Sequence, residues 1–264
     1  MNGINDILDL SVEELDELLL TAEDIIHNPS KYARVMNGKK LAPLFFEPPP
    51  RTRLSFEAAM YELGGNVLGF SEAQSSSASK GESVADTAQV ISCYADIIAM
   101  RHHIEGAQLA ASAVSPVPII NAGDGANQHP TQTMLDLFTI QQTQGRLNDI
   151  NITMVGDLKY GRTVHSLIMA MSHFSPTFNF VAPIELAMPE KYKLFCKENK
   201  IPFQDLKELS QDVIGNTDIL YMTRVQKERF SDLMEYERVK NVYTLCASML
   251  ENTRPNMKVL HPLP

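Results

Sequence analysis

Short apolar runs alternate with helical patterns along almost the whole chain, and this alternation constrains the fold more than any other feature. Each run is four to six residues long, which suits a buried strand better than a helix. Strands that take turns with helices pack as parallel sheets covered by those helices. The sequence therefore predicts an α/β protein.

The pattern divides the chain into two halves of similar design. Predicted strands cover residues 41–46, 67–70, 96–100 and 117–122, then 152–155, 178–181, 219–222 and 242–246. Predicted helices begin with one at Ser11, which forms a capping box with Glu14, and continue at 54–63, 82–92, 106–114, 164–172, 190–198 and 228–239. A longer helix over 130–144 joins the halves. We predict two domains, 1–130 and 146–264, a connecting helix over 131–145, and an active site in the cleft between them.

Composition excludes several classes of function. The net charge of −9 disfavours binding to nucleic acid or to an anionic membrane. No uncharged apolar stretch reaches 18 residues and no signal peptide begins the chain, so we expect a cytoplasmic protein without membrane spans. Cys93, Cys196 and Cys246 lie in apolar sequence and form no CxxC pair, which predicts buried, reduced thiols rather than a disulfide framework or a zinc site.

Arginines follow the predicted strands in this acidic chain. Arg51 and Thr52 stand where a helix begins, and free amides and the helix dipole favour an anion there. Arg101, Arg162 and Arg224 each follow another strand. Four arginines at strand ends predict a small substrate with two or more negative charges.

Other polar residues also stand in strand-end loops. His129 precedes the connecting helix, with Gln132 one turn further on, and Gln226 follows Arg224. A serine-rich run over 75–79 leads to Lys80, and such a run is more typical of a plain surface loop than of a site. His102 and His103 have no further ligands at metal spacing, so we predict no metal.

Six strings in this order resemble the aspartate/ornithine carbamoyltransferase family, over nearly the whole chain. They are Arg51-Thr52-Arg53, Met100-Arg101-His102, His129-Pro130-Thr131-Gln132, Gly156-Asp157-Leu158-Lys159-Tyr160-Gly161-Arg162, Thr223-Arg224-Val225-Gln226 and His261-Pro262-Leu263-Pro264. The resemblance is to the aspartate branch, because the Ser-Met-Gly and His-Cys-Leu-Pro strings of the ornithine branch are absent.

The resemblance implies carbamoyl transfer from carbamoyl phosphate to L-aspartate in pyrimidine biosynthesis, without a cofactor. Arg51, Thr52 and Arg101 would hold the phosphate; Thr52, Arg101 and His129 would stabilise the oxyanion on the carbamoyl group, with Gln132 on its amine. Aspartate would meet Arg162, Arg224 and Gln226, with the backbone of Pro262 and Leu263 bordering the site.

The same resemblance implies an assembly. A homotrimer would share its active sites, each receiving Lys80 and Ser77, or the serine beside it, from a neighbour, with Lys80 meeting both substrates. Glu47 and Glu228 would brace arginines as the domains close. The strings around Lys159 and Arg224 are similar to those of the subclass that joins zinc-bearing regulatory chains in an allosteric assembly.

Two departures from the family pattern bear on activity. Pro49 and Pro50 replace a serine and a threonine, removing two hydroxyls and a backbone donor from the phosphate loop. The chain stops at Pro264, where the family continues into a helix that returns to the first domain, so we expect that helix to be absent. The alternatives are an impaired homologue that acts through assembly, and a carbamoyltransferase for another amino acid.

Overall fold

A computed structural model describes residues 3–46, 50–69, 81–225, 234, 236–237 and 243–262. The chain divides into two compact units, Met1–Met134 and Leu135–Pro264. Helix α6, Pro130–Gln144, has the predicted bounds and crosses this division. The predicted domain boundaries at residues 130 and 146 stay a prediction. Within the described ranges, no helix combines the length and apolar character needed to cross a membrane.

The first unit contains a five-stranded parallel sheet in the order β1-β5-β4-β2-β3. Its strands are β1 Gly3–Ile4, β2 Lys40–Phe45, β3 Asn66–Val67, β4 Ile97–His102 and β5 Ile119–Asp124. Its helices are α1 Val12–His27, α2 Pro29–Tyr32, α3 Pro50–Glu62, α4 Val84–Ser92 and α5 Ala107–Ser112. The central strand β4 supplies the fully buried Ile98, Ala99 and Met100, as expected of a parallel strand covered on both faces.

The second unit repeats the design with the sheet order β10-β9-β6-β7-β8, again all parallel. Its strands are β6 Asn151–Val155, β7 Thr177–Val181, β8 Phe203–Leu206, β9 Ile219–Met222 and β10 Lys258–Leu260. Its helices are α7 Arg162–Met171, α8 Glu190–Glu198 and α9 Gln211–Gly215. The predicted architecture of two parallel sheets flanked by helices is confirmed.

The predicted start of α1 is also confirmed. The Ser11 hydroxyl accepts a hydrogen bond from the Glu14 amide at 3.2 Å, and the Glu14 carboxylate accepts one from the Ser11 amide at 2.9 Å. Leu15 and Leu19 of this helix are buried. The reciprocal cap satisfies two amide donors that a helix leaves open at its beginning.

The strand predicted over 242–246 is wrong for its described part, residues 243–246, which form no strand. Tyr243 and Leu245 pack against Val155, Val181 and Leu220. These side chains are apolar because they cover the sheet and not because they belong to it. The edge strand that pairs with β9, on the side away from β6, is β10 instead.

Three short edge strands were not predicted from the sequence, and a fourth is shorter than predicted. The structure adds β1, β8 and β10, while the strand predicted over 67–70 ends at Val67 and Phe70 lies outside the described residues. Short edge strands carry too few residues for a clear periodic pattern. The helix predicted over 228–239 falls almost entirely outside the described residues.

The prediction for the cysteines is right for one side chain and wrong for two. Cys196 is fully buried on α8, and burial raises the pKa of its thiol to about 11. Cys93 and Cys246 are exposed. Cys93 caps the end of α4, and Cys246 precedes a 3-10 turn at Ala247–Leu250. A cysteine at the end of a helix or beside a turn can be exposed even where its neighbours in sequence are apolar.

Candidate active site

The residues predicted to bind phosphate lie at the beginning of α3, which directly follows β2. Pro50 is the first residue of this helix, Arg51 is exposed, and Thr52 is half-buried. First-turn amides have no acceptor within their own helix and so present donors and a positive dipole end to an anion. Glu47 and Pro49 lie outside the described residues.

Arg101 joins this helix start from the neighbouring strand. It pairs with Phe45 in the parallel register of β2 and β4, near the carboxyl ends of both strands. Its guanidinium Nη1 donates a hydrogen bond to the Thr52 hydroxyl at 3.3 Å. The fold therefore brings together two predicted site residues that are 49 positions apart.

Arg53, in contrast, is turned towards its own helix. Its Nε lies 2.6 Å from a carboxylate oxygen of Glu57, one turn further along α3. This ion pair gives Arg53 a structural role within α3.

His129 stands at the end of the next strand-end loop, after β5. The residue is 9 % exposed and immediately precedes α6. The Thr131 hydroxyl lies 3.4 Å from His129 Nδ1, and the half-buried Gln132 follows on the first turn of α6. Because β4 and β5 are neighbours in the sheet, Arg101 and the loop that leads to His129 leave the same edge.

The paired histidines after β4 are part of the packing. Nδ1 of the buried His102 accepts a hydrogen bond from the Ile104 amide at 2.9 Å. Its ring stacks on His103 with centroids 4.4 Å apart and touches Phe46 at 4.8 Å. The pair therefore has a structural role that its position in the sequence did not reveal.

In the second unit, the residues predicted to bind aspartate follow three adjacent strands. Arg162 is the first residue of α7 after β6, and Arg224 follows β9 and is exposed. The half-buried Pro262 follows β10. These strands are neighbours in the order β10-β9-β6. Parallel neighbours end at the same edge, so all three loops leave the sheet together.

Gly156 allows two of these loops to approach each other. It has a φ of +113°, and a Cβ there would lie 2.7 Å from both the carbonyl oxygen and the hydroxyl of Thr223. The Thr223 amide in turn donates to the Val155 carbonyl at 2.9 Å. A side chain at position 156 would push apart the loops that carry Arg162 and Arg224.

Two further side chains shape this edge. Asp157 is fully buried, and its carboxylate accepts a hydrogen bond from the Tyr160 amide at 2.9 Å, which folds the turn before Arg162. His261 follows β10, and burial, then the charge of Arg224, lower the pKa of its imidazole. Both effects favour the neutral imidazole over the charged one.

Ser77, Lys80, Gln226, Leu263 and Glu228 lie outside the described residues. Three buried polar side chains that organise these loops and strands were not predicted from the sequence, namely Asp124, Asp136 and Tyr221. A signal existed for Asp136, a lone carboxylate in an otherwise uncharged helix, but burial had to be seen to interpret it.

Comparison with known families places both units. Residues 3–142 match the model described as "Aspartate/ornithine carbamoyltransferase, carbamoyl-P binding domain". Residues 148–264 match "Aspartate/ornithine carbamoyltransferase, Asp/Orn binding domain".

Individual relatives agree. The chain is 60% identical over 254 residues to the aspartate carbamoyltransferase catalytic subunit of Bacteroides thetaiotaomicron, covering 96% of this chain and 80% of that one. The catalytic subunit of aspartate transcarbamoylase from M. jannaschii superposes with a TM-score of 0.89 at 47% identity, covering 100% of this chain and 86% of that one. Aspartate transcarbamoylase from Trypanosoma cruzi, in complex with carbamoyl phosphate and aspartate, gives a TM-score of 0.91 at 35% identity, with coverages of 100% and 85%.

Proposed function

The chain belongs to the aspartate/ornithine carbamoyltransferase family, and on that premise we propose that it transfers the carbamoyl group of carbamoyl phosphate to L-aspartate. The products are N-carbamoyl-L-aspartate and phosphate. The structural observation that carries the proposal is the hydrogen bond of 3.3 Å from Arg101 to Thr52, because it sets a guanidinium beside the amino end of a helix.

Carbamoyl phosphate is assigned to the first unit. Its phosphate binds Arg51, Thr52 and the first-turn amides of α3, a combination of fixed charge and helix dipole suited to a dianion. Its carbonyl oxygen meets Thr52, Arg101 and His129, and Gln132 holds its amine. Ser77 and Lys80 complete the site from a neighbouring copy.

L-aspartate is assigned to the second unit, whose arginines follow adjacent strands. Arg162, Arg224 and Gln226 bind its carboxylates, Lys80 of the neighbouring copy assists, and the backbone of Pro262 and Leu263 lines the site. Two arginines suit a dicarboxylate better than an amino acid with a cationic side chain.

The reaction needs electrostatic stabilisation and positioning from this chain. The aspartate amine attacks the carbamoyl carbon, forming a C–N bond, and negative charge develops on the carbonyl oxygen, where Thr52, Arg101 and His129 stabilise it. The C–O bond to phosphate then breaks, and the departing phosphate takes a proton from the nitrogen. Holding both reactants in line supplies the remainder of the rate enhancement.

The finer parts of the proposal concern assembly and context. We propose a cytoplasmic homotrimer with shared active sites that serves pyrimidine biosynthesis, and an allosteric assembly with zinc-bearing regulatory chains. Family membership supports the trimer and the pathway, and the resemblance of the strings around Lys159 and Arg224 supports the regulatory chains.

Pro49 and Pro50 make reduced affinity for carbamoyl phosphate part of the proposal. Pro50 occupies the first position of α3, where its missing N–H leaves the helix intact but removes a donor from the phosphate site. Each hydrogen bond to a charged group contributes about 1.5–3 kcal/mol, so losing two to three of them weakens binding by roughly a hundredfold to a millionfold.

A kinetic comparison tests the proposal. N-carbamoyl-aspartate formation is measured over a wide range of carbamoyl phosphate for the parent chain and for a Pro49→Ser, Pro50→Thr variant. We expect turnover in both, with a much lower KM for carbamoyl phosphate in the variant. Pro29→Ser is the matched control, because Pro29 also begins a helix but lies in α2.

Two outcomes would contradict parts of the proposal. A parent that saturates at ordinary carbamoyl phosphate concentrations would overturn the assigned effect of the prolines and leave the reaction standing. Ornithine preferred over aspartate would overturn the choice of substrate. The prolines favour one alternative function, an impaired homologue that acts through assembly, and trimers without turnover in either version would support it.

A further inference from the structure

The loop that leads from β5 to His129 is built around one buried carboxylate, that of Asp124. Asp124 is the last residue of β5 and is only 2 % exposed. Its Oδ1 accepts hydrogen bonds from the Gln128 amide at 2.8 Å and the Asn121 side chain at 3.3 Å. Its Oδ2 accepts from the Gly106 amide at 2.9 Å and the Asn127 side chain at 3.1 Å. Both oxygens are therefore used twice.

The backbone of Asp124 closes the same loop. Its amide donates to the Gln128 carbonyl at 3.2 Å, and its carbonyl accepts from the Asn127 amide at 3.0 Å. Together with the side-chain contacts to the Gln128 amide and the Asn127 side chain, four hydrogen bonds tie Asp124 to the two residues that precede His129. The position of Gln128 is thus determined by Asp124, and His129 is its immediate neighbour.

A second layer of hydrogen bonds fixes the orientation of the Asn121 side chain. The Asn121 side-chain oxygen accepts from the Gly123 amide at 2.7 Å and from the Gln108 amide group at 3.1 Å. The amide nitrogen of Asn121 therefore has to face Asp124, as a donor. Gln108 is itself held, because it also donates to the Gly123 carbonyl at 3.2 Å.

This donor set requires a carboxylate and not merely a polar side chain. An ionised carboxylate offers acceptors on both oxygens, whereas an asparagine in the same place carries donors on one side. An amide group at position 124 would face either the Gln128 amide and Asn121, or the Gly106 amide and Asn127. In a buried site, the N–H donors of this amide group would face other N–H donors, and the loop would have to move to separate them.

We infer that Asp124 is a positioning residue for carbamoyl transfer, which sets the place of His129 through the Asp124–Gln128 loop. The inference rests on the proposed function for the role of His129 and adds a residue that does not touch the substrate. Supporting residues of this kind commonly change a rate by about 10- to 100-fold, because a misplacement of about 1 Å in a reacting group is enough.

The test is a double-mutant cycle between Asp124 and His129 in the full chain. We expect Asp124→Asn to lower kcat by about 10- to 100-fold while the KM for aspartate stays nearly constant. In a His129→Ala background the same change has little further effect, since the group that it positions is gone. Equal losses in both backgrounds would overturn the inference.

Asp218→Asn is the matched control. Asp218 is as deeply buried, at 1 % exposed, and its carboxylate accepts from the Asn151 amide at 2.9 Å and from Arg254 at 2.6 Å, but it lies at the amino end of β9 in the second unit. We expect this variant to be less stable, with an unchanged kcat where circular dichroism shows it folded. A loss of kcat equal to that of Asp124→Asn would reduce Asp124 to a stabilising role and overturn the inference.

A second readout does not depend on turnover. The ring resonances of His129, identified by their loss in His129→Ala, are followed by NMR and should shift in Asp124→Asn but not in Asp218→Asn. This separates the inference from the proposed function, because a parent without activity would still show the shift. If Asp124→Asn does not fold, Asn127→Ala removes a single partner and should shift the same resonances. An unmoved His129 would overturn the inference.

Discussion

The hydroxyl of Tyr221 donates a hydrogen bond of 2.8 Å to the carboxylate of Asp136, and both side chains are buried. Tyr221 lies in β9 and Asp136 in α6, so the contact ties the helix to the sheet of the second unit. Thr163, beside Arg162 at the beginning of α7, also hydrogen-bonds to Tyr221. Burial, reinforced by the charge of Asp136, raises the pKa of Tyr221 well above its usual range, which keeps the hydroxyl a donor.

Tyr221→Phe should destabilise the second unit, since a buried charged acceptor loses this donor. We expect a fall of about 1.5–3 kcal/mol in the free energy of unfolding, measured with urea. Tyr243→Phe is the control, because that hydroxyl donates to the backbone carbonyl of Lys207 at 2.7 Å, a neutral acceptor, and should contribute only about 0.5–1.5 kcal/mol. Equal losses in the two variants would show that the Asp136 contact has no special weight.

Gly156→Ala should weaken aspartate binding by separating the loops of Arg162 and Arg224. Strain at positive φ together with the overlap on Thr223 is expected to cost about 2–5 kcal/mol of stability, and the KM for aspartate should rise about tenfold or more. Gly145→Ala also places a Cβ at positive φ, +71°, with nothing within 4 Å of it, and because this φ is closer to the left-handed region it gives a lower bound on the strain without the overlap. An unaltered KM in Gly156→Ala would argue against a shared aspartate site at these loops.

Thr52→Val should damage the handling of carbamoyl phosphate. The isosteric change removes the hydroxyl that contacts Arg101 and is assigned to the substrate, so kcat/KM for carbamoyl phosphate should fall about a hundredfold. Ser55→Ala removes a nearby exposed hydroxyl, which donates to the Thr52 carbonyl at 2.8 Å, and should have little effect. Steady-state kinetics with each substrate varied in turn would separate the two variants, and similar losses would place the ligand elsewhere.

Asp6→Asn should stabilise the protein at neutral pH. Burial is the main cause that raises the pKa of Asp6 above its ordinary value of 3.8, and the charges of Asp9 and Asp124 add to it. The folded chain therefore binds this proton more tightly than the unfolded chain, and stability falls as the pH rises from about 3.8 through the folded pKa. An asparagine oxygen can still accept the Leu8 amide, which now bonds to Asp6 at 2.9 Å.

The melting temperature of each variant, measured across pH 4–8, reports this effect. A stability change of 1 kcal/mol shifts the melting temperature by roughly several degrees, and differences of ~1 degree can be resolved. The advantage of Asp6→Asn should be largest at neutral pH and shrink on acidification. Asp16→Asn, exposed on α1, controls for the loss of one negative charge from the chain. An advantage that grew as the pH fell would reverse the sign assigned to Asp6.

Long periodic elements were predictable from sequence, and short or edge elements were not. The bounds of α6 and α8 agree with the prediction, because each has a sharp start at or beside a proline and a clear end. Strands of two to four residues such as β1 and β10 lack enough pattern to be seen locally. The apolar run at Tyr243 and Leu245 was wrongly predicted to be a strand, because a segment that covers a sheet needs the same apolar side chains as a strand within it.

The candidate site divides in the same way. The identities of Arg51, Thr52, Arg101, His129, Arg162 and Arg224, and their positions after strands, could be read from the chain alone. Their partners could not. The contact of Arg101 with Thr52 depends on β4 lying beside β2, and the loops of Arg162 and Arg224 meet because β6 lies beside β9.

The sequence by itself determined the alternation of strand and helix, the parallel α/β class and the residues that follow each strand, because these depend on local periodicity and residue type. Only the tertiary structure decided the order of the strands, the burial of Asp124, Asp136 and Tyr221, and the exposure of Cys93. These properties depend on which distant segments pack together. Packing is a competition among the buried surfaces of the whole unit, and no local pattern records its outcome.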